Sequence, residues 1–224
     1  MIAIARMAVL NLRTVAPYRG QGLLLLVLVA AAISTKSPLV LLPALAFITP
    51  MIAAYPFLVA DKAGLETLYA VLPLPRRSVL YGHYAWAMAC YLVLVAAGTA
   101  LDFLLARVQA VPFGVRDFLT MLTLSWALFA INVAIQFPLL IRFGYTQVSV
   151  LATTLPVALV MYAVLKLHVF PSIAAAQAWL PLIGGAGVAA MVASVAVAIT
   201  ADQGRVRYGR PGRDAPTGRN QHPK

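Results

Sequence analysis

The chain has 224 residues, of which 62% are hydrophobic and only 10% are charged, and its formal net charge is +11. A soluble domain is usually about a quarter charged, and a core of this size could not bury so much apolar surface. The composition therefore excludes an ordinary soluble protein and favours a chain whose solvent is lipid.

The first 19 residues are predicted to form an amphipathic helix that lies in the plane of the membrane surface. Arg6 and Arg13 are seven positions apart and therefore share one helix face, while apolar side chains occupy other positions on the helical wheel. Pro17 and Gly20 end this helix. Basic residues followed by an apolar run imitate a signal peptide, but the basic region is long, so we do not expect cleavage.

Stretches without charge predict about six transmembrane helices, because a helix needs about 20 residues to cross the hydrocarbon core. The fold class is therefore an all-α integral membrane protein with one transmembrane domain, residues 1–201. The remaining residues, 202–224, are rich in Gly, Pro and Arg and are predicted to be a disordered basic cytoplasmic tail. The predicted spans are 20–35, 39–60, 84–106, 118–141, 143–165 and 180–201.

The basic residues predict the orientation of these spans. With the N-terminus inside, only four of the 17 basic side chains fall in outer segments, and the inverted topology would reverse this bias. Both termini are therefore predicted to be cytoplasmic. The positive charge marks topology and contact with membrane lipid, and it calls for no nucleic acid. The four outer residues are Lys36, Arg107, Arg116 and Lys166.

The long connection after span two, residues 61–83, contains a predicted cytoplasmic helix. Asp61 can cap its start, and Pro73 ends it because proline lacks an N–H. Pro75 can then open a second helix. The positions that follow the i, i+3, i+4, i+7 spacing of one apolar helical stripe are Leu65, Leu68, Tyr69 and Leu72.

Arg76 and Arg77 come directly after Pro75, where cations are unfavourable next to the positive end of a helix dipole. Two kinds of partner could compensate: lipid phosphates, or carboxylates on a docked protein. The connection as a whole is accordingly either an amphipathic helix on the membrane surface or a docking platform.

Three short motifs stand out in this sequence. They are DKAGLETL at 61–68, LPLPRR at 72–77 with Tyr84, and QFPLLIRFG at 136–144. They resemble those of the small permease subunits of type-2 ATP-binding-cassette (ABC) exporters. Those permeases characteristically have an acidic–Lys pair, a Leu, then Leu-Pro-x-Ser-Arg, then an aromatic residue in the next span, and later a Pro…basic–aromatic–Gly signature. Pro75 stands where Ser is usual, and Gln147 where a basic residue is common.

The resemblance implies a coupling helix after span two that docks on a separate ATPase subunit. It also implies pairing with a second permease, identical or paralogous, in the bacterial inner membrane. ATP and Mg would sit on the partner ATPase, because this chain contains no Gly-x-x-x-x-Gly-Lys-Ser/Thr motif and no enzyme signature of its own. The implied docking residues are Asp61, Lys62, Leu65, Glu66, Leu68, Tyr69, Leu72, Arg76 and Arg77.

Four polar residues inside the predicted spans are candidates for a translocation path. Ser125, Asn132 and Gln136 share one face of span four, and such side chains turn away from lipid. They either make hydrogen bonds between helices or line the path. Asp102 lies near the outer end of span three, where intramembrane acids are functional by default, but it could also reach the interface or pair with Arg107.

Two further patterns concern helix geometry. Pro43, Pro50 and Pro56 predict a kinked span two. A small-residue stripe in span six predicts close helix packing, within the chain or between protomers; it consists of Gly185, Ala189 and Ala193.

The function predicted from the sequence is the membrane-spanning subunit of an ATP-driven exporter. Two alternatives stay open: a membrane anchor or assembly protein that transports nothing, and a stand-alone secondary carrier. No metal site is predicted, because His83, His168 and His222 are expected on different sides of the membrane or in the tail.

Overall fold

The computed structural model describes residues 9–10, 12–13, 20, 38–64, 76–110, 114–166 and 177–208. In that part of the chain, the regular secondary structure is entirely helical. The helices are α1 (Pro38–Ala53), α2 (Tyr55–Lys62), α3 (Arg76–Val108), α4 (Val115–Phe143), α5 (Tyr145–Lys166) and α6 (Leu180–Tyr208).

Among the described residues, four helical stretches are long and apolar enough to cross a membrane: Leu41–Lys62, Arg77–Val108, Val115–Phe143 and Leu180–Thr200. They coincide with predicted spans two, three, four and six. Helix α5 coincides with predicted span five. Predicted span 20–35 and the in-plane N-terminal helix fall almost wholly outside the described residues, so the count of six stays a prediction.

Two helices extend beyond their predicted bounds. Helix α3 begins at Arg76, eight residues before predicted span three, so the helix expected to open after Pro75 is the start of α3 itself. Helix α6 continues to Tyr208, past the boundary expected at residue 201. Charged residues marked the limits of the apolar spans, but a helix can continue into the interface because its backbone hydrogen bonds are internal.

The predicted irregularity of span two is a break between α1 and α2 at Ala54. Pro56 lies in the first turn of α2 and has no N–H to donate to the preceding helix. The break is instead closed by the N–H of Phe57, which donates to the carbonyl of Ala54 at 3.0 Å.

The described helices pack around α4. Helix α1 lies against both α3 and α4, and α6 packs along α4. Helices α4 and α5, which are joined by a short turn, are also in contact. Small residues allow close approach at two points. A Cβ on Gly98 would stand 2.9 Å from Leu45 Cδ1, and one on Gly187 would stand 2.7 Å from Trp126 Nε1.

The face that α6 turns toward α4 differs from the small-residue stripe predicted from the sequence. Gly187, Ser194 and Ala198 are buried, whereas Gly185 and the two alanines of that stripe are exposed. The expectation that the stripe packs within the chain is therefore wrong. The indole of Trp126 is what selects the other face, because it occupies the notch at Gly187 and donates to the Gly184 carbonyl at 3.3 Å.

Candidate functional site

The motif at 61–68 and the motif at 136–144 meet at one junction, where the end of α2 lies beside the start of α5. The carboxylate of Asp61, at the end of α2, accepts a hydrogen bond from the backbone N–H of Thr146 at 2.8 Å. The hydroxyl of Thr146 donates to the same oxygen, Oδ2, at 3.0 Å. Because Thr146 is in the first turn of α5, Asp61 caps a helix 85 positions further along the chain.

This arrangement differs from the sequence interpretation, in which Asp61 capped the helix that follows it. Asp61 lies in the last turn of α2, which ends at Lys62. The backbone N–H groups of Ala63 and Gly64 donate to carbonyls of α2, at Val59 and Asp61. The carboxylate therefore points to a helix that only the tertiary structure places beside it.

Gly144 makes the approach of Asp61 possible. Its φ of 83° and ψ of 161° lie in a region that is essentially open to glycine alone. A Cβ there would stand 3.3 Å from Asp61 Oδ2 and 3.4 Å from Oδ1, tighter than nearly all real contacts. The glycine that ends the 136–144 motif thus joins α4 to α5 in a turn that leaves room for the carboxylate.

Basic side chains surround this junction. Lys62, Arg77 and Arg142 are exposed, and the guanidinium of Arg142 lies 5.2 Å from the ring centroid of Phe143. The side chain of Arg76 and all of segment 65–75 lie outside the described residues, and with them the predicted docking residues Leu65, Glu66, Leu68, Tyr69 and Leu72. Docking therefore stays a prediction.

The three polar residues on α4 are all buried, as their shared face predicted. The hydroxyl of Ser125 lies 3.5 Å from that of Tyr91 on α3, so this member reaches toward another helix. Asn132 donates to the carbonyl of Leu128 in its own helix at 2.9 Å. Gln136 is 2% exposed, and its Nε2 has no hydrogen-bond partner among the described residues.

Asp102 is 1% exposed, which places its side chain inside the bundle. Its Oδ1 has no hydrogen-bond partner in the described part of the chain. It is also far from Gln136, since it lies near the end of α3 that leads into α4. The contact between the rings of Phe103 and Phe118, 5.8 Å apart, supports this register. Asp102 is therefore level with the first turns of α4, about 25 Å from Gln136 along the helix axis at 1.5 Å per helical residue.

Sequence reasoning missed a buried hydrogen bond between α3 and α6. The hydroxyls of Tyr84 and Ser194 are 2.6 Å apart, and both side chains are buried. Tyr84 was noted only as an aromatic residue of the family motif. A single serine in the apolar α6 was the signal that could have pointed to its partner.

Aromatic side chains fill the space between these polar groups. Phe57 stacks on His83 with ring centroids 4.3 Å apart and meets Phe137 edge-on at 5.2 Å. Phe137 also contacts Tyr84, at 5.2 Å. This cluster packs against the C-terminal end of α4, next to the junction.

A second aromatic group lies deeper in the bundle, where Tyr91 stacks on Phe129 with centroids 4.4 Å apart. Trp126 meets Tyr91 edge-on at 5.6 Å. The two aromatic groups and the hydroxyls among them line the contact of α3 with α4 and α6. They offer stacking and hydrogen-bonding surfaces, and no acid–base pair or nucleophile stands among the contacts described here.

Within the described ranges, no group of three or more His, Cys, Asp or Glu side chains could hold a metal ion.

Comparison with known proteins identifies the family of the chain. A family model described as "ABC-2 family transporter protein" matches residues 21–201, which is most of the chain. No curated protein and no solved structure gives a significant match. With its apolar helices this is a multi-pass membrane protein, and the chain belongs to the ABC-2 family of transporter proteins.

Proposed function

We propose that this chain is the membrane-spanning subunit of an ATP-driven exporter, working with a separate ATPase subunit and a second permease copy or paralogue. Membership of the ABC-2 transporter family carries the proposal. The ATP and Mg would be bound by the partner, and the chain would supply the path through the bacterial inner membrane with both termini in the cytoplasm.

The position of the connecting segment supports the assignment of the docking site. Residues 63–75 leave α2 just after Asp61 and enter α3 at Arg76, on the side where the exposed Lys62, Arg77 and Arg142 gather. That side is predicted to be cytoplasmic. An apolar stripe with i, i+3, i+4, i+7 spacing is the set of anchors that a helix uses in a protein groove.

The charges of the segment favour a protein partner over lipid. Glu66 lies beside Lys62 on the predicted helix, and an acidic flank is poorly suited to an anionic membrane surface. Pro73 and Pro75 stiffen the other end, so that movement of a docked subunit passes into α3.

Co-purification in mild detergent, with mass spectrometry of what elutes, tests the partner. The wild-type chain should bring down an ABC ATPase. The double variant Leu68→Ala/Leu72→Ala should lose it while accumulating normally, because each truncated anchor costs about 1–3 kcal/mol of binding. A matched control is Leu151→Ala/Leu155→Ala, two exposed leucines four positions apart on α5; this variant should keep the ATPase. Retention by the Leu68/Leu72 variant would leave the segment as a membrane-surface helix.

Cysteine labelling tests the orientation. In a Cys90→Ser background, Gly114→Cys should react with an impermeant maleimide in intact cells, and Ala63→Cys should react only after lysis. Both positions are exposed in the structure. The reverse pattern would overturn the topology.

A further inference from the structure

The carboxylate of Asp61 stands at the unfavourable end of its own helix. It lies one residue before the end of α2, where the helix dipole is negative. An acidic group in the last turn is destabilising, because its charge has the same sign as that end of the dipole. Nothing in α2 itself explains an acid at this position, so the explanation has to come from another element.

That element is α5. Its N-terminus carries the positive end of a dipole and unpaired N–H groups, and one of these, on Thr146, donates to Asp61 at 2.8 Å. The hydroxyl of Thr146 adds a second bond at 3.0 Å. Helix α2 also packs directly against α5. The carboxylate is thus unfavourable at the C-terminal end of α2 and favourable beside the N-terminus of α5.

Gly144 shows that the turn is shaped around this contact. Its backbone conformation is essentially restricted to glycine, and a Cβ there would stand 3.3 Å and 3.4 Å from the two carboxylate oxygens of Asp61, a tight contact. The glycine is buried although it lies in a one-residue turn between α4 and α5. One carboxylate therefore connects the end of α2, the end of α4 and the start of α5.

We propose that Asp61 is a positioning residue that couples the docking segment to α5. The predicted docking segment follows Asp61 in the chain and precedes α3, and Asp61 is tied to α5 through Thr146. Force applied to the segment then divides between two helices that are not adjacent in sequence. This inference rests on the proposed function, since it takes the docked ATPase as the source of movement.

The experiment uses the full permease–ATPase complex in lipid nanodiscs, with bimane on a single cysteine in a Cys90→Ser background. Val150→Cys reports on α5 and Tyr81→Cys on α3. Both positions are exposed and each is the sixth residue of its helix. In the parent complex, ATP with vanadate should change the fluorescence at both positions. With Asp61→Ala, the change at residue 150 should fall about tenfold while the change at residue 81 persists. Because Asp61 is also among the implied docking residues, the amount of bound ATPase is measured for each variant, and Thr146→Val, which lies outside that set, should keep the ATPase bound.

Graded substitutions separate coupling from folding. Thr146→Ser keeps both donors and should behave like the parent. Thr146→Val keeps the backbone N–H alone and should lose part of the response at residue 150. Asp61→Asn keeps an acceptor oxygen without the charge and should fall between the parent and Asp61→Ala. If Asp61→Ala does not assemble, Thr146→Ser, Thr146→Val and Asp61→Asn still test the proposal, because their fluorescence changes at residue 150 should rank by the hydrogen bonds that each variant keeps.

The outcomes distinguish the two ideas. Failure of the wild-type chain to bind an ATPase, or a bound ATPase with no response at either position, contradicts the proposed function. An unchanged response at residue 150 in Asp61→Ala and Thr146→Val overturns the coupling role alone. So does a parent complex that responds at residue 81 and not at residue 150.

Discussion

The junction around Asp61 and the buried polar residues of the bundle interior differ in how their polar groups are hydrogen-bonded. At the junction, one oxygen accepts two hydrogen bonds from a helix far along the chain. In the interior, Asn132 turns back to its own helix, and Gln136 Nε2 and Asp102 Oδ1 are buried without a partner among the described residues. An unsatisfied buried polar group costs about 1–3 kcal/mol.

The difference indicates separate roles for the two regions. Paired groups at the junction fix the relative position of three helices. Polar groups in the interior are kept at a cost to folding, which is expected of groups that serve a substrate or a second conformation. The following substitutions test this contrast by their effects on stability, and each can be measured by thermal unfolding in detergent.

The largest loss is expected at the junction, from Gly144→Ala. The backbone conformation there costs a non-glycine residue about 1–3 kcal/mol, and the added Cβ also displaces the Asp61 carboxylate, so we expect about 3 kcal/mol in total. Gly64→Ala is the matched control. Gly64 also has a positive φ, of 62°, but nothing lies within 4 Å of the site of its Cβ. It should cost about 1 kcal/mol, and equal losses at the two glycines would contradict a junction built around the carboxylate.

The next largest loss is expected where α6 meets α4, from Gly187→Ala. The new methyl group would stand 2.7 Å from Trp126 Nε1 and 3.0 Å from Cδ1, and overpacking of this kind costs about 1–3 kcal/mol. We expect about 2 kcal/mol in this case. Gly185→Ala, two positions away with open space around it, should be nearly neutral. A neutral Gly187→Ala would mean that α6 is free to shift against α4.

A smaller loss is expected from the buried pair of hydroxyls. A double-mutant cycle with Tyr84→Phe and Ser194→Ala should give an interaction energy of about 0.6 kcal/mol, the average for hydrogen bonds between membrane helices, and at most about 1.7 kcal/mol. The Ser125→Ala and Tyr91→Phe cycle is the comparison, because its oxygens are 3.5 Å apart instead of 2.6 Å. Its interaction energy should be smaller, and the reverse order would show that the two contacts are ranked wrongly.

The smallest effect on stability is expected from Gln136→Leu. Removing a buried amide nitrogen that has no described partner should leave the unfolding free energy within about 1 kcal/mol of wild type, or raise it. A loss as large as that of Gly187→Ala would instead mean that Gln136 holds the bundle together. In that case its place on a translocation path would have no support from stability.

Much of the architecture followed from the sequence, because lipid imposes simple demands. Uncharged stretches located the helices now called α1 to α6, since charges are excluded from hydrocarbon. Three prolines predicted the interruption of span two, and the 3.6-residue period predicted that Ser125, Asn132 and Gln136 share one buried face. The motifs at 61–68 and 136–144 pointed to the transporter family that the family match then established.

The sequence by itself determined where the long apolar helices of the described residues lie, which α4 face is buried, and the family, because local period, charge and short motifs carry that information. The tertiary structure decided which face of α6 packs, that Tyr84 pairs with Ser194, and that Asp61 caps α5. Each of these depends on two segments far apart in the chain. The bond from Asp61 to Thr146 spans 85 positions, and no local propensity records which helix terminus a carboxylate will meet once the helices have packed.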